Sequence, residues 1–495
     1  MSTYGILKKP PYAMIAILFI GSFVSLINET LLNVALPSIM EDFEVSASTV
    51  QWLATGYMLV NGILIPASAF LLQKFSNRQL YITAMSLFTA GTILAAYSPT
   101  FEILLIARIL QASGSAIMAP LLMNVMLASF PVERRGAAMG IFGLVMITAP
   151  AIGPTLSGWL IEHYSWRTLF EVVMPIAALT LVIAIFKLKN VLPQKEITLD
   201  IFSLVLSSIG FGGILYGFSS AGEKGWDSVH VYVPIAVGVV SLIVFILRQL
   251  KLEHPLLEFR IYKYPMFALS SAISIVIAMA MFSAMLLMPI YIQTIRGISP
   301  FESGLLMLPG AIIMGIMSPI TGRLFDKFGA RILAVIGLSI TIFTTYLFSN
   351  LTMETSYGYL MFVYALRMFG MSMVMMPVMT NGINQLPPSM NPHATAMNNT
   401  LQQVSGAVGS ALLVTLMQNR TEHEAEQLVK EAAASDPTVL TNPSAMADLT
   451  NEAMLLGINF SFKISVFIAL VALVLTFFIK RVKPETEERL KKSAS

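Results

Sequence analysis

Apolar runs of about 20 residues interrupt this chain from end to end, and that is the length that carries an α-helix across the roughly 30 Å hydrocarbon core of a bilayer. They lie near 12–36, 50–72, 80–97, 101–126, 136–161, 168–186, 199–219, 231–247, 266–290, 303–324, 331–349, 357–385, 394–417 and 456–479, which makes fourteen. Lipid offers the backbone no hydrogen-bond partner, so such a chain satisfies its own N–H and C=O groups within helices. The expected class is an all-α polytopic membrane protein. With 56% of residues hydrophobic and only 12% charged, the composition fits that class and no soluble one.

Several functions are excluded at once. A net charge of +3, spread as short basic clusters between apolar runs, does not suit nucleic acid. The absence of cysteine rules out disulfides and thiol chemistry. His163, His230, His254, His393 and His423 all fall in or beside expected loops, so they read as solvated, with no metal cluster and no cofactor expected. Lys8 and Lys9 precede the first run like the head of a signal peptide. That run reaches Leu36 without a small-residue cleavage site, however, and reads as a retained first helix.

The basic residues give the orientation, because Lys and Arg gather in short cytoplasmic loops. With fourteen spans and both termini cytoplasmic, the cytoplasmic segments hold 22 of the 30 Lys and Arg residues. Arg167, Lys224, Arg296, Arg420 and Lys430 fall outside, and Arg108, Arg367 and Lys463 sit within spans. An odd number of spans scrambles this bias. The polar segment at about 418–455 is then an external acidic loop, with some helix expected around 421–434.

Two stretches about 253 residues apart look alike, Ala69-Phe70-Leu71-Leu72-Gln73-Lys74-Phe75-Ser76-Asn77-Arg78 and Gly322-Arg323-Leu324-Phe325-Asp326-Lys327-Phe328-Gly329-Ala330-Arg331. An arginine followed by small residues and a proline also recurs, as Arg108 to Pro120 and as Arg367 to Pro377. Two equivalent halves follow. The expected organisation is an N-terminal six-helix half at 1–190, two linker helices with flanking loops at 191–260, a C-terminal six-helix half at 261–480, and a cytoplasmic tail at 481–495.

The second stretch resembles the loop signature of the major facilitator family through Gly322, Leu324, Asp326, Lys327, Gly329 and Arg331, while the first departs from it at Ala69, Gln73 and Ser76. Leu105, Arg108, Gln111, Gly114 and Ala116 resemble the family's fourth-span motif. Gly143, Pro150, Gly153, Pro154 and Gly158 are similar to its fifth-span antiporter motif, with Ser157 in place of a glycine. Pro289 to Gln293, Arg296-Gly297, Gly304 to Gly310 and Thr395 to Thr400 resemble fourteen-span drug:proton antiporters of the EmrB/QacA type. Asn28 to Asn33 is similar to the LmrB branch, associated with lincomycin resistance. The resemblance implies a major facilitator fold in a 6+2+6 arrangement, working as a monomer in a bacterial plasma membrane on a small-molecule substrate and protons.

Glu29 is the one carboxylate well inside an expected span. A charge at that depth costs at least about 2.5–3.5 kcal/mol on insertion scales, so it is usually paired or functional. Burial and a nearby cation act in opposite directions on a carboxyl's proton, which makes Glu29 a candidate proton carrier with Arg108 as its fixed partner. A purely structural Glu29–Arg108 pair is the competing reading. Candidate cavity residues are Asn28, Asn33, Asn61, Gln111, Asn124, Gln293, Arg367, Asn381, Asn398 and Gln402, mostly uncharged amides that suit a permissive site. Asp326 is expected to cap or pair across neighbouring helix ends as a latch, whereas no such role passes to Gln73. The apolar body of the tenth span lacks an acid, which favours neutral or monocationic cargo over dications. The resulting expectation is proton-driven export of amphipathic molecules, with a dedicated exporter of one endogenous solute as the alternative and an enzyme disfavoured.

Overall fold

The computed structural model describes residues 11–482 except 46, 51, 132–133, 193, 195–199, 254 and 436–442. His254, Lys195, Asp436 and the expected tail beyond 482 therefore lie outside the described residues, as do the side chains of Asn33, Pro150 and Pro154. All regular structure described is helical. In chain order the helices are α1 (Tyr12–Asp42), α2 (Ala47–Val50), α3 (Trp52–Lys74), α4 (Asn77–Ala96), α5 (Phe101–Ser129), α6 (Arg135–His163), α7 (Thr168–Lys187), α8 (Ile201–Lys224), α9 (Val229–Gln249), α10 (Pro265–Ile290), α11 (Pro300–Phe328), α12 (Ala330–Phe348), α13 (Tyr357–Ser372), α14 (Met375–Ile383), α15 (Asn391–Ser435) and α16 (Pro443–Thr476).

Among the described residues eleven stretches are long and apolar enough to cross a membrane, or twelve if the pair Trp52–Leu64 and Ala67–Lys74 is one bent span. The other two expected stretches fall on α6 and α10. Outward faces are apolar, as the packing of a lipid-embedded bundle requires: Leu179 and Phe186 of α7 and Val240 and Leu247 of α9 are all more than half exposed. Polar caps start the helices where the chain turns. Ser76 forms a capping box with Gln79, and Thr100, Asp200, Ser299 and Ser356 each accept a backbone N–H of the next first turn.

The repeat read in the sequence is also a repeat of packing. In the first half α1 packs on α6 and α7, α3 on α5, and α4 on α5 and α7. In the second half α10 packs on α15 and α16, α11 on α13, and α12 on α13 and α16. A pseudo-two-fold thus exchanges α1 with α10, α3 with α11 and α6 with α15. The halves meet along α6 and α11, the most extensive pairing in the molecule, and along the equivalent but sparser pairing of α15 with α3. Helices α8 and α9 pack on each other, and α8 lies against α3 and α15, flanking that second junction.

Two expectations are corrected, and one span carries an irregularity. The run at 357–385 is one crossing stretch, Tyr357–Ile383, with a turn at Met373 and Val374 between α13 and α14. Pro377 explains the site of the turn: it has no N–H for the carbonyl four residues back, that of Met373, and its ring crowds it. The helix expected around 421–434 is present as the end of α15, which runs without interruption to Ser435, but α16 already begins at Pro443, so the loop expected to reach 455 is helical there too. Good helix formers such as Ala, Glu and Lys, joined by the Arg420–Glu424 and Glu426–Lys430 pairs one turn apart, account for that. Finally, His393 is not a solvated loop residue but is buried in the first turn of α15.

Candidate functional site

Glu29 sits midway along α1, deep among the helices of the first half, yet it keeps some accessible surface, so it faces internal space rather than packed core. Arg108 of α5 is close enough for its charge to act on Glu29, but no ion pair joins them among the described residues. The guanidinium is held by other groups. Its Nη1 donates to Gln111 Oε1 (2.9 Å) and to the Asn28 carbonyl (3.4 Å), its Nε donates to the Leu53 carbonyl (3.4 Å), and its plane lies 4.2 Å from the centroid of the Tyr57 ring. Gln111 is oriented in turn by donating to Thr92 Oγ1 (2.9 Å). The cation is therefore fixed independently of Glu29, which leaves the carboxylate free to change its protonation without dismantling the Arg108 site.

Nearby polar atoms are incompletely used. Asn28 Nδ2 and, one turn beyond Tyr57 on α3, Asn61 Oδ1 are buried without a hydrogen-bond partner among the described residues. Buried orphans of this kind are uncommon and mark places that a ligand or water completes. Ser25 and Ser115 bond each other at 2.5 Å between α1 and α5, beside Tyr57. The junction with α6 is also at this level. A Cβ on Gly153 meets Thr30, and Ser157 Oγ donates to the Leu31 carbonyl (2.6 Å), so the glycine-rich part of α6 rests on the turn of α1 that carries Glu29.

The other sequence candidates scatter. Asn124 Nδ2 donates to Thr395 Oγ1 (2.7 Å), joining α5 to α15, and Asn398 is buried beside Met379. Gln402 is half-buried on α15. Gln293 is exposed in a π-helical turn, Tyr291–Ile295, that follows α10. Asn381 is occupied at the chain end, where it donates to the Lys480 carbonyl (3.2 Å) and accepts from the Val482 N–H (3.3 Å), away from Glu29. Arg367 is buried on α13 and donates to the Ala280 carbonyl of α10 (3.3 Å). Lys463 opens into a cleft of about 380 Å³ with Asn350, Arg420 and Asn459, at the face opposite the chain ends.

The loop motif makes a contact between the halves at the face where α1 starts and α16 ends. Asp326 accepts the Gly136 N–H (3.0 Å) and the Ala137 N–H (3.2 Å), capping the first turn of α6 from α11. Gly136 and Gly322 touch so closely that a Cβ on either one strikes the other's backbone. Gly329 turns α11 into α12 at φ +81°, a conformation glycine adopts without strain, and Arg481 binds the carbonyls of Asp326 and Lys327 beside it. Lys327 and Arg331 are exposed. Gln73 occupies the place of Asp326 in the first half, and its Nε2 lies 2.9 Å from His393 Nε2 across the α3–α15 junction. Sequence reasoning missed this contact, although the pairing of Gln73 with Asp326 in the repeat pointed to a position at the equivalent junction.

A family model described as Major Facilitator Superfamily matches residues 18–410. The Bacillus subtilis (strain 168) "Lincomycin resistance protein LmrB" is 43% identical, over 95% of this chain and 96% of that protein. The "Uncharacterized MFS-type transporter YhcA" of the same organism is 44% identical, over 98% of this chain and 96% of its own length. Among solved structures, the human organic anion transporter MFSD10 superposes with a TM-score of 0.66 over 95% of this chain and 100% of that one, at 11% identity, a likeness of fold alone.

Proposed function

Because this chain belongs to the Major Facilitator Superfamily, we propose that it is a proton-coupled exporter of amphipathic small molecules, lincosamide-type antibiotics among them. Membership itself makes the chain a transporter rather than an enzyme, and a multi-pass protein of the bacterial plasma membrane. The relative named for lincomycin resistance supports drug export. In this reading fourteen helices cross the membrane as 6+2+6, both termini and the Asp326 contact are cytoplasmic, and a monomer works by alternating access without a cofactor.

The observation that carries the proton assignment is Glu29, a carboxylate deep in the bundle with accessible surface, beside an arginine whose Nε and Nη1 are engaged elsewhere. Glu29 takes a proton from outside and releases it inside. Its charge alternately completes and leaves uncompensated the field of Arg108, and cargo occupancy is coupled to that change through which face is open. In everted vesicles, export by wild type is expected to collapse with a protonophore while ATP is maintained. Glu29→Gln is expected to abolish gradient-driven transport at normal abundance of folded protein. Undiminished transport by Glu29→Gln overturns the assignment.

A further inference from the structure

Arg367 repeats Arg108 in the second half but without any of the groups that balance it. Each arginine donates to a carbonyl of the first helix of its half, Arg108 to Asn28 of α1 and Arg367 to Ala280 of α10. The residue after the acceptor is Glu29 in the first half and Met281 in the second. Three positions beyond the arginine, Gln111 supports Arg108, whereas Gly370 follows Arg367 and packs on the Gly337 backbone. The aromatic ring over Arg108 is Tyr57, and 253 residues later, at the spacing of the repeat, stands Gly310.

Among the described residues, what remains around Arg367 is Tyr364 of its own helix, whose ring fills the space over Gly310, and one hydrogen bond. Among the described residues its Nε has no partner, it is 2% exposed, and the five ion pairs all lie elsewhere. A guanidinium held at this depth without a counter-charge is costly, and it keeps unused donors in the fork geometry that fits a carboxylate or another planar oxyanion. We infer that Arg367 is the recognition site for an anionic group of cargo, so that amphipathic organic anions are among the transported molecules. This rests on the export reading above, and it adds anions to the neutral or monocationic amphiphiles that the acid-free tenth span suggested. The anion reaches Arg367 when the halves part, since the arginine is sealed in the conformation described.

Two xanthene dyes of similar frame and opposite charge test the assignment: fluorescein, an anion at pH 8, and rhodamine 6G, a cation. Equilibrium binding is read by fluorescence anisotropy on purified full-length protein in nanodiscs, with no gradient. Wild type is expected to bind fluorescein, Arg367→Gln to bind it about tenfold or more weakly, and Arg367→Lys to fall between them, while rhodamine 6G binding shifts by less than about twofold. Met281→Glu supplies the missing carboxylate and is expected to abolish fluorescein binding while raising the melting temperature, a gain that a misfolded variant does not show. No fluorescein binding by wild type, unchanged binding in Arg367→Gln or Met281→Glu, or equal loss of both dyes overturns the inference. Export has a separate readout. Fluorescein efflux that is indifferent to a protonophore defeats the proton-coupled reading and leaves the binding result to stand or fall alone.

Discussion

Arg108 uses its guanidinium as a planar fork, reaching one side-chain oxygen and two carbonyls on three helices while its face lies over Tyr57. A lysine at this site keeps the charge but not the fork, and its ammonium is more strongly hydrated. Arg108→Lys is therefore expected to lose about 2–3 kcal/mol of stability, from unmade charged hydrogen bonds and the lost stacking contact. The check is the thermal melt together with proton uptake on adding cargo; a melt within about 0.5 kcal/mol of wild type means that charge alone holds the site. That Glu29 and Arg108 lie within the bundle was legible in the sequence, because a charge inside a long apolar run has few places to be. His393 was not. Its neighbours Met390, Asn391 and Pro392 read as a loop, and the residue that buries it, Gln73, lies 320 positions earlier, a distance over which no local pattern carries information.

Helices were legible for the same reason that their irregularities were not: hydropathy sees which segments leave water, not how neighbouring helices bend or extend them. The break at Met373 needs only Pro377 in place of a backbone donor, yet Pro120 lies inside α5 without breaking it, so proline alone did not foretell the outcome. Helices α8 and α9 show how the turns are fastened. Asp200 caps α8 by accepting from Ser203 and is joined to Arg248 at the end of α9 by a 2.8 Å contact. The Arg248 hydrogen bond first, and then those of Ser203, hold the Asp200 carboxyl at about 2, against about 3.9 in an unfolded chain. A carboxyl depressed on folding contributes stability that is present above its unfolded value and is lost as pH falls through its folded one. In detergent, Asp200→Asn is expected to melt below wild type by under about 1 kcal/mol at neutral pH, since the pair is partly solvated. The gap is expected to hold down to about pH 4 and close by about pH 2. A gap that persists at pH 2 assigns the effect to the shape of the cap rather than to its charge.

At the scale of the whole molecule, the pseudo-two-fold places a contact from the repeated loop position at each junction, Asp326 with the first turn of α6 and Gln73 with His393, beside others such as Asn124 with Thr395 and Ser318 with the Gly140 carbonyl. One is a carboxylate accepting two backbone N–H groups and the other a single contact between an amide and an imidazole, so the second half's motif is the stronger fastening, but both close the same face. If the halves move as rigid bodies, the two contacts bias a single equilibrium, and weakening either one opens both junctions. The chain has no cysteine, so single reporters are clean: Ser318→Cys on α11 against α6, and Thr395→Cys on α15 against α5, both at buried positions. His393→Ala removes a contact of about 1 kcal/mol and is expected to raise labelling at both reporters about fivefold. Asp326→Asn is expected to raise both by more, and the double variant to multiply the two effects. If His393→Ala raises labelling only at Thr395→Cys and leaves Ser318→Cys unchanged, the junctions open separately. Rocking of one half against the other is then not the motion that moves cargo through this bundle.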